Sequence, residues 1–414
     1  MVQKAYEWVD GAELEEHSKR KHKVLREYFF QYITVRCKNP QQEKFRLAIM
    51  DGFAGGGRYK CGAPGSPIIF IEELEKAVSK INTERAVNGL KTLEVECLLI
   101  LNDANADAHQ VLQEAVAPIL AAARDREKRL YLDVQYLNQT FEEAYPVAKS
   151  LIEQGRYRTV LFNLDQCGHS HVERSTLEDI MRSFAAPEIF YTFAIQALLA
   201  FLEKSEPSRL QSQLQYIGLD ASKWHEFEAV MSNDQWLGVA ERLVFDTLSR
   251  CAQFVSPFSI QNPKGWRYWM IHFSGKARAR QVYNNTLHNN STAQAHFGRA
   301  GLEMLSYNPN DEGQIYLFDE SGRETAQKQL FDDIPRMIMR SGDAINVNEF
   351  YEDIYNATPA HMDDIHAAII DNPDLEVTTP AGGERRKPNT INAGDTIRIK
   401  NQRSFSFPTF PRKL

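Results

Sequence analysis

Residues 45–57 read Phe45-Arg46-Leu47-Ala48-Ile49-Met50-Asp51-Gly52-Phe53-Ala54-Gly55-Gly56-Gly57, an apolar strand that runs into a carboxylate and then a glycine cluster. Glycines at the end of a sheet's first strand let the backbone approach a ligand where a Cβ would collide. The candidate cofactor-loop residues are therefore Asp51, Gly52, Phe53, Gly55 and Gly57. A dinucleotide site needs the loop to open directly into a helix that holds a pyrophosphate, with G-x-G-x-x-G spacing. Here Arg58 to Gly65 intervene before Ser66-Pro67, which reads as an N-cap followed by proline at the first helical position. A P-loop is excluded as well, because no Gly-Lys-Ser/Thr follows at the required distance. S-adenosylmethionine carries no phosphate and bears a cationic sulfonium, so close backbone approach and a carboxylate such as Asp51 suffice. The alternative is a tight turn that uses its glycines for positive φ.

Outward from this loop the pattern alternates between strands and helices. A helix spans about Ser18 to Thr34, with a basic first half at Lys19, Arg20, Lys21, His22, Lys23 and Arg26. Strands are expected at Val95–Leu101, Tyr131–Leu137, Tyr157–Leu164, Ile189–Leu198 and Trp266–Phe273. Helices are expected at Ala106–Arg124, Phe141–Glu153, Ser175–Ser183 and Gly275–Asn284, with a helical insertion over about 201–253. This is the rhythm of a parallel sheet covered on both faces. The expected fold class is α/β, a Rossmann-like doubly wound sheet of the class I methyltransferase type, over residues 1–310.

Polar residues recur at the strand ends. Asp103, with Asn102 beside it, stands where a nucleoside's ribose hydroxyls are read, or else it caps the next helix. Asn138 could pair with an adenine edge or serve a turn. The fourth strand ends in Asp165-Gln166-Cys167-Gly168, where an acceptor would meet a methyl group. His169 and His171 follow as candidates for a general base or half a metal site, against solvated loop histidines. No third and fourth metal ligand stands nearby, so no metal is expected. Arg58 and Lys60 beside the loop raise a nucleotide phosphate as a further reading.

Residues 324–414 change character. Helices at Thr325–Arg340 and Val347–Tyr355, a third capped by Thr358-Pro359, and two short strands around the loop Pro380–Pro388 describe a winged helix. Its third helix carries Asp363 and Asp364, which repel phosphate. Arg385, Arg386 and Lys387 in the wing are the candidate nucleic-acid contacts, with Arg398, Lys400 and Arg403 beside them; a protein-binding or dimerisation module is the alternative.

The whole chain fits this frame. Its 414 residues suffice for two domains, and 43% hydrophobic and 25% charged residues describe a folded globular protein. The net charge of −7 means that any nucleic-acid contact must come from a local basic patch. The five scattered cysteines form no C-x-x-C pair, which argues against a disulfide framework and for a reducing cytoplasm. No apolar run approaches the ~20 residues that cross a bilayer, and the first residues lack a signal-peptide apolar stretch.

Asp51 to Tyr59, Gly65-Ser66-Pro67, Lys21-His22 and Asn163-Leu164-Asp165-Gln166-Cys167-Gly168 together resemble the three-Cys-motif partner (TcmP) proteins, over roughly residues 18–310. These are bacterial methyltransferase-like proteins named for accompanying a radical-SAM-like protein that bears three cysteines. The loop is similar also to the D-x-F-A-G-x-G-G loop of DNA cytosine methyltransferases. The resemblance implies S-adenosylmethionine as cofactor, a radical-SAM-like partner, and cofactor contacts at Asp51, Gly52, Gly55, Gly57 and Asp103. Asp165 and Gly168 match the family's acidic segment. Gln166 and Cys167 stand where the family has proline and an aromatic, and that aromatic normally stacks on a flipped base. The leading expectation is a methyltransferase with Asp165 or His169 accepting a proton and nucleic acid, DNA or RNA, as candidate acceptor. The other is a non-catalytic nucleic-acid- or protein-binding module on a methyltransferase fold.

Overall fold

The computed structural model describes residues 8, 11–166, 171–195, 216, 218, 244–261, 267–289, 294–297, 315–317 and 320–400. The chain divides into two compact units, residues 1–298 with 307–319 and residues 299–306 with 320–414. The helical insertion expected over 201–253 lies almost wholly outside the described residues, as do residues 401–414.

In the first unit α1 (Glu16–Arg36) precedes β1 (Lys44–Asp51), and the elements then alternate. They are α2 (Ser66–Val87), β2 (Glu94–Asn102), α3 (Ala106–Arg126), β3 (Leu130–Leu137), α4 (Phe141–Gln154), β4 (Thr159–Leu164), α5 (Arg174–Ser183) and β5 (Ala186–Phe193). After these come β6 (Phe254–Gln261), β7 (Arg267–Ser274), α6 (Ala277–Asn289), β8 (Gln294–Phe297) and β9 (Ile315–Leu317). The strand order is β3-β2-β1-β4-β5-β7-β6-β8-β9. Strands β1 to β5 are mutually parallel, whereas β7 runs antiparallel between β5 and β6. The unit is thus a mixed α/β fold on a largely parallel sheet. Strand order reverses beside β1, which leaves the crevice between the carboxyl ends of β1 and β4 as the place where such sheets bind ligands.

Alternation along the buried strands assigns the faces. Ala48 and Met50 of β1, Leu98 and Ile100 of β2, and Ile189, Tyr191 and Phe193 of β5 join Ala144, Ala148 and Ile152 of α4 and Leu177 and Ile180 of α5 in one apolar cluster. Helices α1, α2, α3 and α6 pack with one another on the opposite face. There α1 buries Val24, Leu25, Tyr28, Phe29, Tyr32 and Ile33, the stripe that its spacing predicts.

A charged knot fastens α1 to the sheet. Glu188 of β5 accepts from the Tyr28 hydroxyl and from Arg36 at 2.7 Å, and it lies 3.2 Å from Nε2 of His272 on β7. Tyr28, Glu188 and His272 are all buried. Burial alone would raise the Glu188 carboxyl, but His272, Arg36 and Tyr28 outweigh it and hold the group below the usual carboxylate range.

Three local readings need correction. Gly65, not Ser66, occupies the N-cap position of α2, and Pro67 follows inside the first turn. The fifth strand ends at Phe193 rather than running on to Leu198, because Thr192 and Phe193 already complete its pairing with β7. Strand β6 is an extra element whose Pro257 pairs with Ile271.

The second unit contains α7 (Glu320–Arg340), β10 (Ala344–Asn346), α8 (Val347–Ile354), α9 (Met362–Asp371), β11 (Leu375–Thr378), β12 (Glu384–Arg385) and β13 (Thr396–Ile399). Its antiparallel sheet has the order β10-β13-β11-β12. Gly342 at φ 86° and Asp343 at φ 65° turn the chain out of α7. The N-cap of α9 is His361, whose Nδ1 accepts from the Asp363 amide at 3.1 Å, and not Thr358. Asp364 is buried and receives both Arg323 nitrogens at 2.8 Å and Gln327 at 2.9 Å.

Candidate functional site

The glycine loop is built by pinching. The Gly65 amide donates to the Gly57 carbonyl at 2.8 Å, Arg58 bridges Pro64, and the Tyr59 amide donates to Ala63 at 3.0 Å. Residues 58–64 therefore leave the loop as a small hairpin, and α2 starts beside Gly57 in space although not in sequence. Spacing along the chain hides this juxtaposition. Gly55 and Gly57 take φ of 60° and 75°, which favours glycine at both. A Cβ on Gly52 would strike Phe141 at 2.7 Å and Leu164 at 2.9 Å, so that glycine serves packing beneath the loop. Phe53 stacks on Phe141, with ring centroids 5.7 Å apart.

Asp103 is held by the loop it faces. Its Oδ2 accepts from the Gly55 amide at 2.8 Å and its Oδ1 from the Asn105 amide at 2.9 Å. Asn105, not Asp103, caps α3 by accepting from Asp107 and Ala108. Each Asp103 oxygen keeps a lone pair, so a rigid, part-exposed carboxylate stands beside the glycines. Asn138 is exposed next to it and donates to the Asp103 carbonyl at 2.8 Å, with its own carbonyl oxygen left to accept. Asn102 has another task. It is buried, and its amide donates to the carbonyls of Gly52 and Gln139, both at 3.0 Å, which ties the loop to the end of β3. It shapes the site without facing a ligand.

Asp51 is fully buried at the end of β1 and accepts from Asn163 Nδ2 at 3.0 Å. Burial pushes its carboxyl up to about 7; Ser66, Asn163 and the Phe53 amide pull it down, while the nearby Asp165 pushes it further up. Across the crevice Asp165 follows β4. Lys21 of α1 reaches it with Nζ 2.5 Å from Oδ1, and the two side chains are only 9% and 23% exposed. Burial favours the neutral acid, but the Lys21 ammonium and the Thr192 hydroxyl outweigh it and hold Asp165 below the usual carboxylate range. His22 stands next to Lys21, and burial lowers its imidazole to about 4, with Asp165 opposing and Lys21 and Arg26 assisting. It is neutral at neutral pH. Lys21, His22, Ser66, Asn163, Asp165, Phe190, Thr192 and Met270 line one narrow cleft.

His169, together with Cys167 and Gly168, lies outside the described residues. His171 is exposed; its amide donates to Gln166 Oε1 at 2.9 Å, and its ring lies 6.4 Å from Phe53. Gln166 is buried, so its bond holds the His171 backbone at a fixed point. Arg58 donates to the Gly62 carbonyl at 2.6 Å within the hairpin, and Lys60 lies 4.0 Å from Glu13, ahead of α1. Among the described residues no group of histidine, cysteine, aspartate or glutamate could hold a metal ion, and no helix is long and apolar enough to cross a membrane.

Sequence reasoning missed two participants. Trp8 lies on the glycine loop so closely that a Cβ on Gly55 or Gly56 would meet its ring at 2.4 or 2.6 Å, and its ring is 5.5 Å from Tyr59. Lys21 stood out in sequence as part of a basic helix start and of the Lys21-His22 resemblance, but with no role attached, because its partner is 144 residues away.

In the second unit the basic residues are largely paired. Arg385 contacts Asp395 at 2.9 and 3.2 Å, Arg386 contacts Glu384 at 3.3 Å, and Arg398 contacts Glu376 at 2.6 Å. Lys387 is exposed beside them.

No family model matches the chain, and no curated protein does. Among solved structures it is similar to a loganic acid methyltransferase with SAH, at 8% identity over 95% of this chain and 99% of that one. The TM-score of 0.25 is too low for that likeness to carry an argument.

Proposed function

We propose that the first unit is an S-adenosylmethionine-dependent methyltransferase. The observation that carries this reading is the set of polar groups at neighbouring strand ends: the glycine loop after β1, Asp103 after β2, Asn138 after β3 and Asp165 after β4. The sheet order with antiparallel β7 between β5 and β6 supports the methyltransferase type of doubly wound fold. The residues fit the cofactor. Asp103 offers two fixed acceptors for ribose hydroxyls, Asn138 an amide for an adenine edge, and the loop a backbone surface without Cβ atoms. Asp165, held ionised, places negative charge at the crevice between β1 and β4, and Asp51, neutral below about 7, adds to it only as pH rises through that value. When bound there, the cofactor would supply an electrophilic methyl group on a cationic sulfur. The chain's own part is to orient the acceptor, exclude water through the apolar Phe190 and Met270, and receive the acceptor's proton.

Nucleic acid remains our proposed acceptor class, and a radical-SAM-like protein with three cysteines our proposed partner, on the motif resemblance. The order helix, strand, two helices and a three-stranded ribbon in residues 320–400 supports a winged helix. Its arginines Arg385, Arg386 and Arg398 are paired with carboxylates, which favours a protein-binding role for this unit over a strongly basic nucleic-acid face. Calorimetric titration with S-adenosylmethionine and S-adenosylhomocysteine tests the reading. Micromolar binding that Asp103→Ala abolishes is expected; equal binding by the variant overturns the site, and no binding by the unaltered protein overturns the function.

A further inference from the structure

Trp8, ahead of α1, lies on the bare part of the glycine loop. A Cβ built on Gly55 would stand 2.4 Å from Cζ2 of its indole, and one on Gly56 would stand 2.6 Å from Cε3. Carbon atoms settle about 3.5 to 4.0 Å apart, so the indole already rests on the backbone of both glycines and no second ring fits between. The same point on Gly56 is 3.2 Å from Val111, which sets the indole beside α3. The Gly55 amide is engaged as well, by Asp103 Oδ2 at 2.8 Å. The surface without Cβ atoms that a cofactor would approach is therefore covered by the chain itself.

The strap that carries this ring has an anchor and a bend. Ala12 is buried, and its carbonyl accepts from the Lys60 amide at 2.9 Å, which fixes the strap to the hairpin of residues 58–64. Gly11 precedes it at φ 80°, and its amide donates to the Trp8 carbonyl at 3.1 Å, so the chain turns sharply at this glycine. The indole also meets Tyr59 of the hairpin in a tilted contact. Glu13 and Lys60, 4.0 Å apart and 85% and 63% exposed, add an ion pair that water screens. A large ring beyond a glycine bend, with a buried anchor behind it, is the construction of a lid.

We propose that Trp8 is an autoinhibitory lid: its indole covers the glycine loop in the closed form, and S-adenosylmethionine or S-adenosylhomocysteine binds the form in which the strap has swung away about Gly11. This rests on the methyltransferase reading above. An indole that served as a roof, stacked on a bound adenine, would need a gap of one ring thickness over the glycines, and the contact distances leave none. A closed lid lowers the apparent affinity by the fraction of molecules that are open. It acts on arrival, because a ligand that binds only the open form meets fewer competent molecules, whereas a seated ligand leaves at a rate that the lid does not set.

Calorimetry and stopped-flow binding of S-adenosylhomocysteine to the full chain test this with two variants. Trp8→Ala removes the ring. Gly11→Ala keeps the ring but puts a methyl group 3.1 Å from Cβ of Lys60 at a left-handed φ, which loosens the closed strap. Both should bind about tenfold more tightly, as for a lid closed in about nine molecules of ten. The gain should lie in the association rate, with dissociation changed by less than about twofold. In the unaltered protein, tryptophan emission should move to longer wavelength as S-adenosylhomocysteine saturates, and Trp8→Ala should lose that shift. Weaker binding by Trp8→Ala through faster dissociation makes the ring a stacking partner and overturns the proposal, as does unchanged affinity in that variant. Tighter binding by Trp8→Ala alone overturns the swing about Gly11. Each of these leaves the methyltransferase reading intact, whereas no binding by the unaltered protein overturns that reading, and the proposal with it.

Discussion

Asp51→Asn converts the buried carboxyl at the end of β1 into a neutral group of the same shape, and its effect on stability should change with pH. The carboxyl sits at about 7 in the fold, chiefly through burial, and at about 3.9 in an unfolded chain. Between these values the folded protein holds a proton that the unfolded chain has released, so stability contributed by the neutral form is full below about 3.9 and is lost as pH rises through about 7. Integrated from pH 5 to pH 8, the loss comes to about 2.6 kcal/mol. Other groups contribute equally to both proteins, so the quantity to read is a double difference. Urea unfolding of the protein and of Asp51→Asn at pH 5 and pH 8, without ligand, supplies it. The variant should gain on the unaltered protein by about 2 to 3 kcal/mol between the two pH values. A double difference near zero, or of opposite sign, would refute the claim that Asp51 is held neutral by burial in the crevice.

The same carboxyl should discriminate between cofactor forms: the affinity ratio of S-adenosylmethionine over S-adenosylhomocysteine should rise as pH passes upward through about 7, because charged Asp51 favours the sulfonium and not the thioether. Calorimetry at pH 6 and pH 8 checks this, and a flat ratio counts against Asp51 facing the sulfur. Glu188→Ala removes the acceptor shared by Tyr28, Arg36 and His272, and should cost about 3 to 5 kcal/mol in urea unfolding, with a smaller loss for Glu188→Gln. Gly55→Ala forces a side chain into the left-handed region against Trp8, and should cost about 1 to 2 kcal/mol together with a shift in tryptophan emission as that ring is displaced.

The sheet was legible because its signal is local. Apolar runs ending in polar residues placed β1 to β5 and most boundaries to within a few residues, and the stripe on α1 was readable from its spacing. Roles that depend on distant partners were not. Asn102 and Asp103 are adjacent in sequence, yet one is buried as a clamp and the other is left part-exposed; only the arrival of Gly52 and Gln139 decides which is which. Lys21 looks like one more solvated cation until Asp165 is placed beside it. Glu188 reads as a polar interruption in an apolar strand, and its meaning comes from three residues on other elements. Local capping was misread for a related reason: Ser66 has the chemistry of an N-cap, but its hydroxyl turns to Asp51.

The pinched hairpin at residues 58–64 has a consequence for engineering. Its two ends are clamped by the Gly65–Gly57 bond and the Arg58–Pro64 bridge, and between them Tyr59 and Lys60 rest on Trp8, Ala12 and His22 rather than on the sheet. Gly62, at its tip, has open space around it. Closing a longer loop across ends that are already held costs little, since the entropy grows only with the logarithm of length. A fluorophore tag or a short epitope grafted at Cys61-Gly62 would therefore ride beside the glycine loop without disturbing its register, and would report on occupancy of the crevice from a position that the core does not feel.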